Sequence, residues 1–252
     1  MTDTSPTAAT TPDQATPLPA RNSSRFGVLA ELALVIAVMV GSKLIFDRIV
    51  WTYAGPLSLL CTFTLLLVIT RLRRESWSNF GLVKLRRWWS WPLIIPQALL
   101  GFAAIGLIGA GTAFLGDALG FWSTDTIPEG VEARFGNVVG NLPVYLGWIA
   151  LSWISAGFGE EVFFRGYMIN RAGKFFPKAW WGTAFAVLLP AIGFGIVHMY
   201  YQGLRGLVVT GMIGLALGTL YILYKRNIWP LVIAHGAFDT LTFTAFYLDL
   251  DV

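Results

Sequence analysis

The sequence predicts an all-α fold, a polytopic membrane bundle of about seven transmembrane helices, on three observations. Of 252 residues, 56% are apolar and only 13% charged, and the mean hydropathy is +0.64. A water-facing domain carries roughly 25% charged residues, so this chain has about half the charge that would clothe a soluble surface. Apolar runs of spanning length follow one another, and about 20 such residues cross the hydrocarbon core. Only helices satisfy their own backbone there. Finally, the segments between the runs alternate in charge.

Residues 1–25, rich in Thr, Pro and Ala, read as a disordered tail and not as a signal peptide. The run from Phe26 reads as an uncleaved signal-anchor. A transmembrane domain then fills residues 26–248, with spans at about 26–46, 54–70, 91–116, 143–169, 181–200, 204–224 and 228–248. The loop 71–90 holds six bases, Arg71, Arg73, Arg74, Lys84, Arg86 and Arg87, against Glu75. The loop 117–141 holds Asp117, Asp125, Glu129 and Glu132 against Arg134. Arg171, Lys174 and Lys178 follow, then Lys225 and Arg226. Bases favour the cytoplasmic side, so the N-terminus is expected inside and the C-terminus outside, in a bacterial cell membrane. The net charge of +4 is explained by this topology, and no nucleic acid partner is expected. Cys61 lies within a run and has no second cysteine to pair with. Gly214 and Gly218, at small-xxx-small spacing, read as helix-packing positions.

Chemistry is sought among ionisable residues inside spans, each costing roughly 2.5–3.5 kcal/mol near a helix centre on insertion scales. The fourth span holds Glu160, Glu161 and Arg165. On an α-helix Glu161 and Arg165, at i and i+4 with the acid first, share a face and can pair. Glu160 points about 100° away and keeps no local partner, which suits general base or acid work. Both histidines of the chain are also in spans: His198 ends Phe194-Gly-Ile-Val-His, and His235 opens His-Gly-Ala-Phe-Asp239. His235 and Asp239 share a helix face, so the acid is expected to orient the imidazole. By helix rise, Glu160 and His235 lie roughly 13 and 10 Å from the cytoplasmic ends of their spans, but His198 roughly 25 Å. A helix starting nearer residue 187, behind an interfacial Trp180 and Trp181, or a bend at Pro190, Gly193 and Gly195, would bring it level.

Glu160-Glu161-x-x-x-Arg165, Phe194-x-x-x-His198 and His235-x-x-x-Asp239, in this order on successive helices, resemble the three motifs of the CPBP family. These are the type II CAAX prenyl endopeptidases, or Abi proteins. The resemblance covers residues 140–245. It implies an intramembrane endopeptidase acting on membrane-associated peptides or proteins in the lipid bilayer. Glu160 would activate water with His198, His235 and Asp239 would hold or polarise the scissile carbonyl, and Glu161 with Arg165 would form a structural pair. Asp239 departs from the family, where Asn is frequent, and a carboxylate donates to an oxyanion only when protonated. Two mechanisms stay open, zinc held by His198, His235 and a carboxylate, or metal-free glutamate chemistry, with the latter preferred. The alternative is a non-catalytic membrane scaffold or bacteriocin-immunity protein on the same fold. A proton-coupled transporter fits less well, for want of an internal repeat.

Overall fold

The computed structural model describes residues 24–84 and 91–250, and among these every regular element is helical. The expected tail and part of the basic loop lie outside the described residues. The elements are α1 (Arg25–Val50), α2 (Ala54–Arg73), α3 (Trp91–Ala118), α4 (Glu129–Phe135), α5 (Leu142–Ala172), α6 (Trp180–Leu223) and α7 (Trp229–Tyr247). Four helices are long and apolar enough to cross a membrane: Arg25–Arg73, Pro92–Ala118, Leu142–Ala172 and Trp180–Leu223. Their outer faces carry large apolar side chains such as Ile49, Leu72 and Leu107, each more than 70% exposed. That is the inverse of a water-soluble surface, and it suits a hydrocarbon solvent.

Two of these four helices double back. A 3₁₀ turn at Trp51–Tyr53 divides α1 from α2, and Arg73 at the end of α2 meets Glu31 near the start of α1. The 44-residue α6 reverses at Gly203, whose φ of 63° and ψ of −155° belong to a region that is essentially glycine-only. Glycines let its two arms, 180–202 and 204–223, touch along their length. A Cβ on Gly195 would stand 2.2 Å from Leu207 O, one on Gly214 3.2 Å from Ala191 Cα, and one on Gly218 2.6 Å from Val187 Cγ1. The packing role read for Gly214 and Gly218 is therefore observed, in an antiparallel hairpin.

Helices α3, α5, α6 and α7 enclose the core, which includes Val162, Val187, Leu217 and Leu231. Contacts between α3 and α7 advance in the same direction, Gly101 against Ala234 and Gly106 against Phe238. Those between α5 and α7 run in opposite directions: Glu161 with His235, Trp153 with Thr240, and Tyr145 with Thr244. The short α4 lies on the tip of the α6 hairpin, with Gly130 so close to Tyr201 that a Cβ would come within 2.4 Å of its carbonyl. The α1–α2 turn is at the same end, since Arg134 of α4 donates to Thr52 O.

At the other end a second polar cluster binds α1, α2 and α5. Buried Glu31 accepts from Tyr167 Oη and Arg171 Nε at 2.8 Å each and pairs with Arg73, while Arg171 reaches Glu75 at 2.6 Å. Arg171 thus has acidic partners from distant segments, which its own acid-free loop does not suggest.

Candidate active site

Most of α5 is not α-helical. Residues 153–168 wind as a π-helix, a form that is rare and frequent at functional sites. This overturns the 100° spacing assumed for Glu160 and Glu161, because each π turn takes up more residues. The divergence between the two side chains survives the change. Glu161 turns to the interior, fully buried, with Oε1 at 2.8 Å from Arg165 Nη1. Glu160 lines a cavity, where its Oε2 has no hydrogen-bond partner among the described residues. Glycines set the approach: Gly157 stacks on Gly236 of α7, with room for a Cβ only at 3.1 Å. The two backbones come close enough for Glu161 to reach His235.

Glu161 does more than neutralise Arg165. The same Oε1 lies 2.9 Å from His235 Nδ1, so it joins the first motif to the third. The expected orienter, Asp239, stands with Oδ1 at 3.8 Å from His235 Nε2, within ion-pair reach but beyond a hydrogen bond. The i, i+4 spacing puts the two on one face, but the stronger acceptor comes from another helix. Arg165 is covered on its other side by Phe194, whose ring centroid lies 4.5 Å from the guanidinium carbon. Phe194 is the shared wall of the site, 4.5 Å from the His198 ring and 6.3 Å from that of His235.

His198 Nδ1 sits 2.7 Å from Phe194 O. A carbonyl can only accept, so Nδ1 carries the proton of the neutral ring and Nε2 keeps its lone pair. The helix runs uninterrupted from Trp180 to Gly203, so no late start near residue 187 brings His198 into line. The cavity does so instead, reaching from the hairpin tip to Glu160. It holds about 430 Å³ and is lined by Glu160, His198, His235 and Asp239 among mostly apolar walls. Glu161 and Arg165 stand behind that wall, one step from the cavity.

A catalytic zinc takes three protein ligands, and among the described residues no three His, Cys, Asp or Glu side chains converge to hold a metal. Nδ1 of each histidine is held, by Phe194 O and by Glu161, which leaves Nε2 of each facing the site.

Three lining residues escaped the sequence reading. Arg134, seen there as the one base of an acidic loop, is 7% exposed and lines the cavity. Tyr200 and Lys43 join it, the ammonium 3.3 Å from the Tyr200 ring centroid. Lys43, like Glu31, could have been found by extending the search for intramembrane charges to the first span.

Residues 142–241 match the family described as Type II CAAX prenyl endopeptidase Rce1-like, and all seven residues named in the three motifs fall inside that segment. No curated protein and no solved structure matches the chain. The apolar helices make it an integral membrane protein, and its segment 142–241 is similar to the Rce1-like type II CAAX prenyl endopeptidases.

Proposed function

We propose that this chain is a metal-free intramembrane endopeptidase that hydrolyses membrane-associated peptide or protein substrates, with Glu160 as the general base. The observation that carries the reading is Glu160 itself, a carboxylate turned into a mostly apolar cavity with an oxygen that no donor satisfies. A buried polar atom left without a partner is costly in an inert scaffold, and it is what a water-activating base requires. In the proposed reaction a water sits between Glu160 and His198 Nε2. Glu160 takes its proton as the oxygen attacks the scissile carbonyl. His235 is fixed through Nδ1 by Glu161, and its Nε2–H, with Asp239 at ion-pair distance, donates to the developing oxyanion. Glu160 then returns its proton to the leaving amine, so one water is consumed and two termini are formed.

The proposed domain is the bundle 26–248, crossing seven times: α1, α2, α3, α5, the two arms of α6, and α7. Alternation supports this count, for α3 and α7 run parallel while α5 opposes α7. The charge pattern adds an inside N-terminus in a bacterial membrane, so the cavity end would face outward. Glu160→Gln is expected to abolish cleavage of a farnesylated, quenched-fluorophore peptide in detergent while leaving the melting temperature within a few degrees of the parent. Retained cleavage by that variant would overturn the mechanism.

A further inference from the structure

Arg134 is the cation of the cavity that no acid accounts for. Lys43, the other base on its lining, is paired with Asp47 at 2.6 Å. Arg134 has no carboxylate within ion-pair distance among the described residues. Its Nε donates to Thr52 O at 3.0 Å and its Nη1 to Tyr200 Oη at 2.6 Å, both neutral acceptors. Its guanidinium carbon lies 5.1 Å from the Tyr201 ring centroid, 5.4 Å from that of Phe135 and 5.9 Å from that of Trp148. These contacts explain how the side chain is held. They bring no negative charge to it and leave Nη2 without an acceptor among the described residues. A buried guanidinium held through Nε and Nη1, with Nη2 left free, keeps its charge and one fixed donor for a carboxylate.

Position decides which carboxylate. Tyr201 stands between Arg134 and the proposed catalytic groups, its ring 5.8 Å from that of His198. Two such steps are bridged by about three residues of extended chain. We propose that Arg134 is a specificity residue of this site, binding the free C-terminal carboxylate of a peptide whose scissile bond lies a few residues earlier. The inference rests on the peptidase reading for its substrate class, but its test does not rest on turnover. The apolar cavity walls hold the residues between the two groups, and Lys43, neutralised by Asp47, does not compete for the anion.

The experiment measures binding of a fluorophore-labelled farnesylated peptide, as C-terminal acid and as C-terminal amide, to the full-length Glu160→Gln protein in detergent. Fluorescence anisotropy gives both affinities. The acid is expected to bind at least about tenfold more tightly than the amide, the value of a charge-assisted hydrogen bond, and the difference is expected to shrink in high salt. Arg134→Gln is expected to lower acid binding to the amide level with amide binding unchanged. Arg134→Lys, which keeps the charge and loses the fork, is expected to fall between. Should Arg134→Gln fail to fold, Tyr200→Phe serves, since it frees Nη1 and keeps or raises the preference for acid. Equal binding of acid and amide by the Glu160→Gln protein overturns the proposal. So does an equal loss of both in Arg134→Gln, which marks a purely structural role. Arg134-dependent binding of dodecanoate, with no acid preference among the peptides, assigns the site to a lipid carboxylate and also overturns it. Cleavage of the peptide by the Glu160→Gln protein, read by mass spectrometry, counts against the mechanism above and not against Arg134.

Discussion

Glu161 shows how far residue-level reasoning from the sequence extends. Spacing joins it to Arg165, and that pair is present at 2.8 Å. Spacing is silent about His235, because the 2.9 Å contact spans 74 positions of the chain. For the same reason the local rule assigned His235 to Asp239, four residues on, which stands at 3.8 Å. Intramembrane polarity revealed the motif residues, whereas Arg134 was hidden by its place in a loop that the fold turns into a cavity wall. One carboxylate oxygen serving two buried cationic or donor groups makes Glu161 a stability residue. Glu161→Gln is expected to destabilise the protein by about 3–5 kcal/mol, the cost of stranding a buried charge, seen as a clearly lower melting temperature in detergent. Equal melting temperatures for Glu160→Gln and Glu161→Gln would contradict this division.

Among the elements, the α6 hairpin and the π stretch of α5 do most to build the site, and they differ in legibility. Helix boundaries were readable because apolar runs and charged loops alternate. The reversal was also anticipated, as a break between residues 200 and 204, although its form, a single glycine with φ of 63°, was not. The π-helix left no trace in the hydrophobic pattern, since a helix buried on most sides has no polar face whose period could reveal it. At the hairpin the closest approach is at Gly195, three residues from His198. Gly195→Ala would push a methyl against the Leu207 carbonyl at 2.2 Å, and backbone cannot yield as a flexible side chain does. The expected cost is about 1–3 kcal/mol, with a fall in kcat larger than any change in KM because His198 is displaced. Gly211→Ala makes the control: its nearest outside neighbour is at 3.7 Å, so it is expected to behave like the parent.

For the whole molecule, composition alone gave the class, and the observed run of α3 and α7 in one direction and α5 in the other agrees with the alternation of charge. The pairing of helices was beyond it, for partners are chosen by glycine contacts that lie far apart in the chain. The orientation can be tested with an impermeant thiol reagent on intact cells, in a Cys61→Ser background. A cysteine at position 123, in the acidic loop, is expected to be labelled, and one at position 76, beside Arg74, is not. The reverse pattern would put the cavity end in the cytoplasm. Either way, the bundle carries a layer of fixed charge at each end, Glu31, Arg73 and Arg171 at one and Arg134 with Lys43 at the other. These layers act as a gauge of bilayer thickness. The first arm of α6, residues 180–202, is about 34 Å long at 1.5 Å per residue, against a hydrocarbon core of about 30 Å. A thin bilayer must therefore tilt this arm or swell around it, and since His198, near its far end, lines the same cavity as Glu160, the thickness of the surrounding lipid is expected to register in the rate of cleavage.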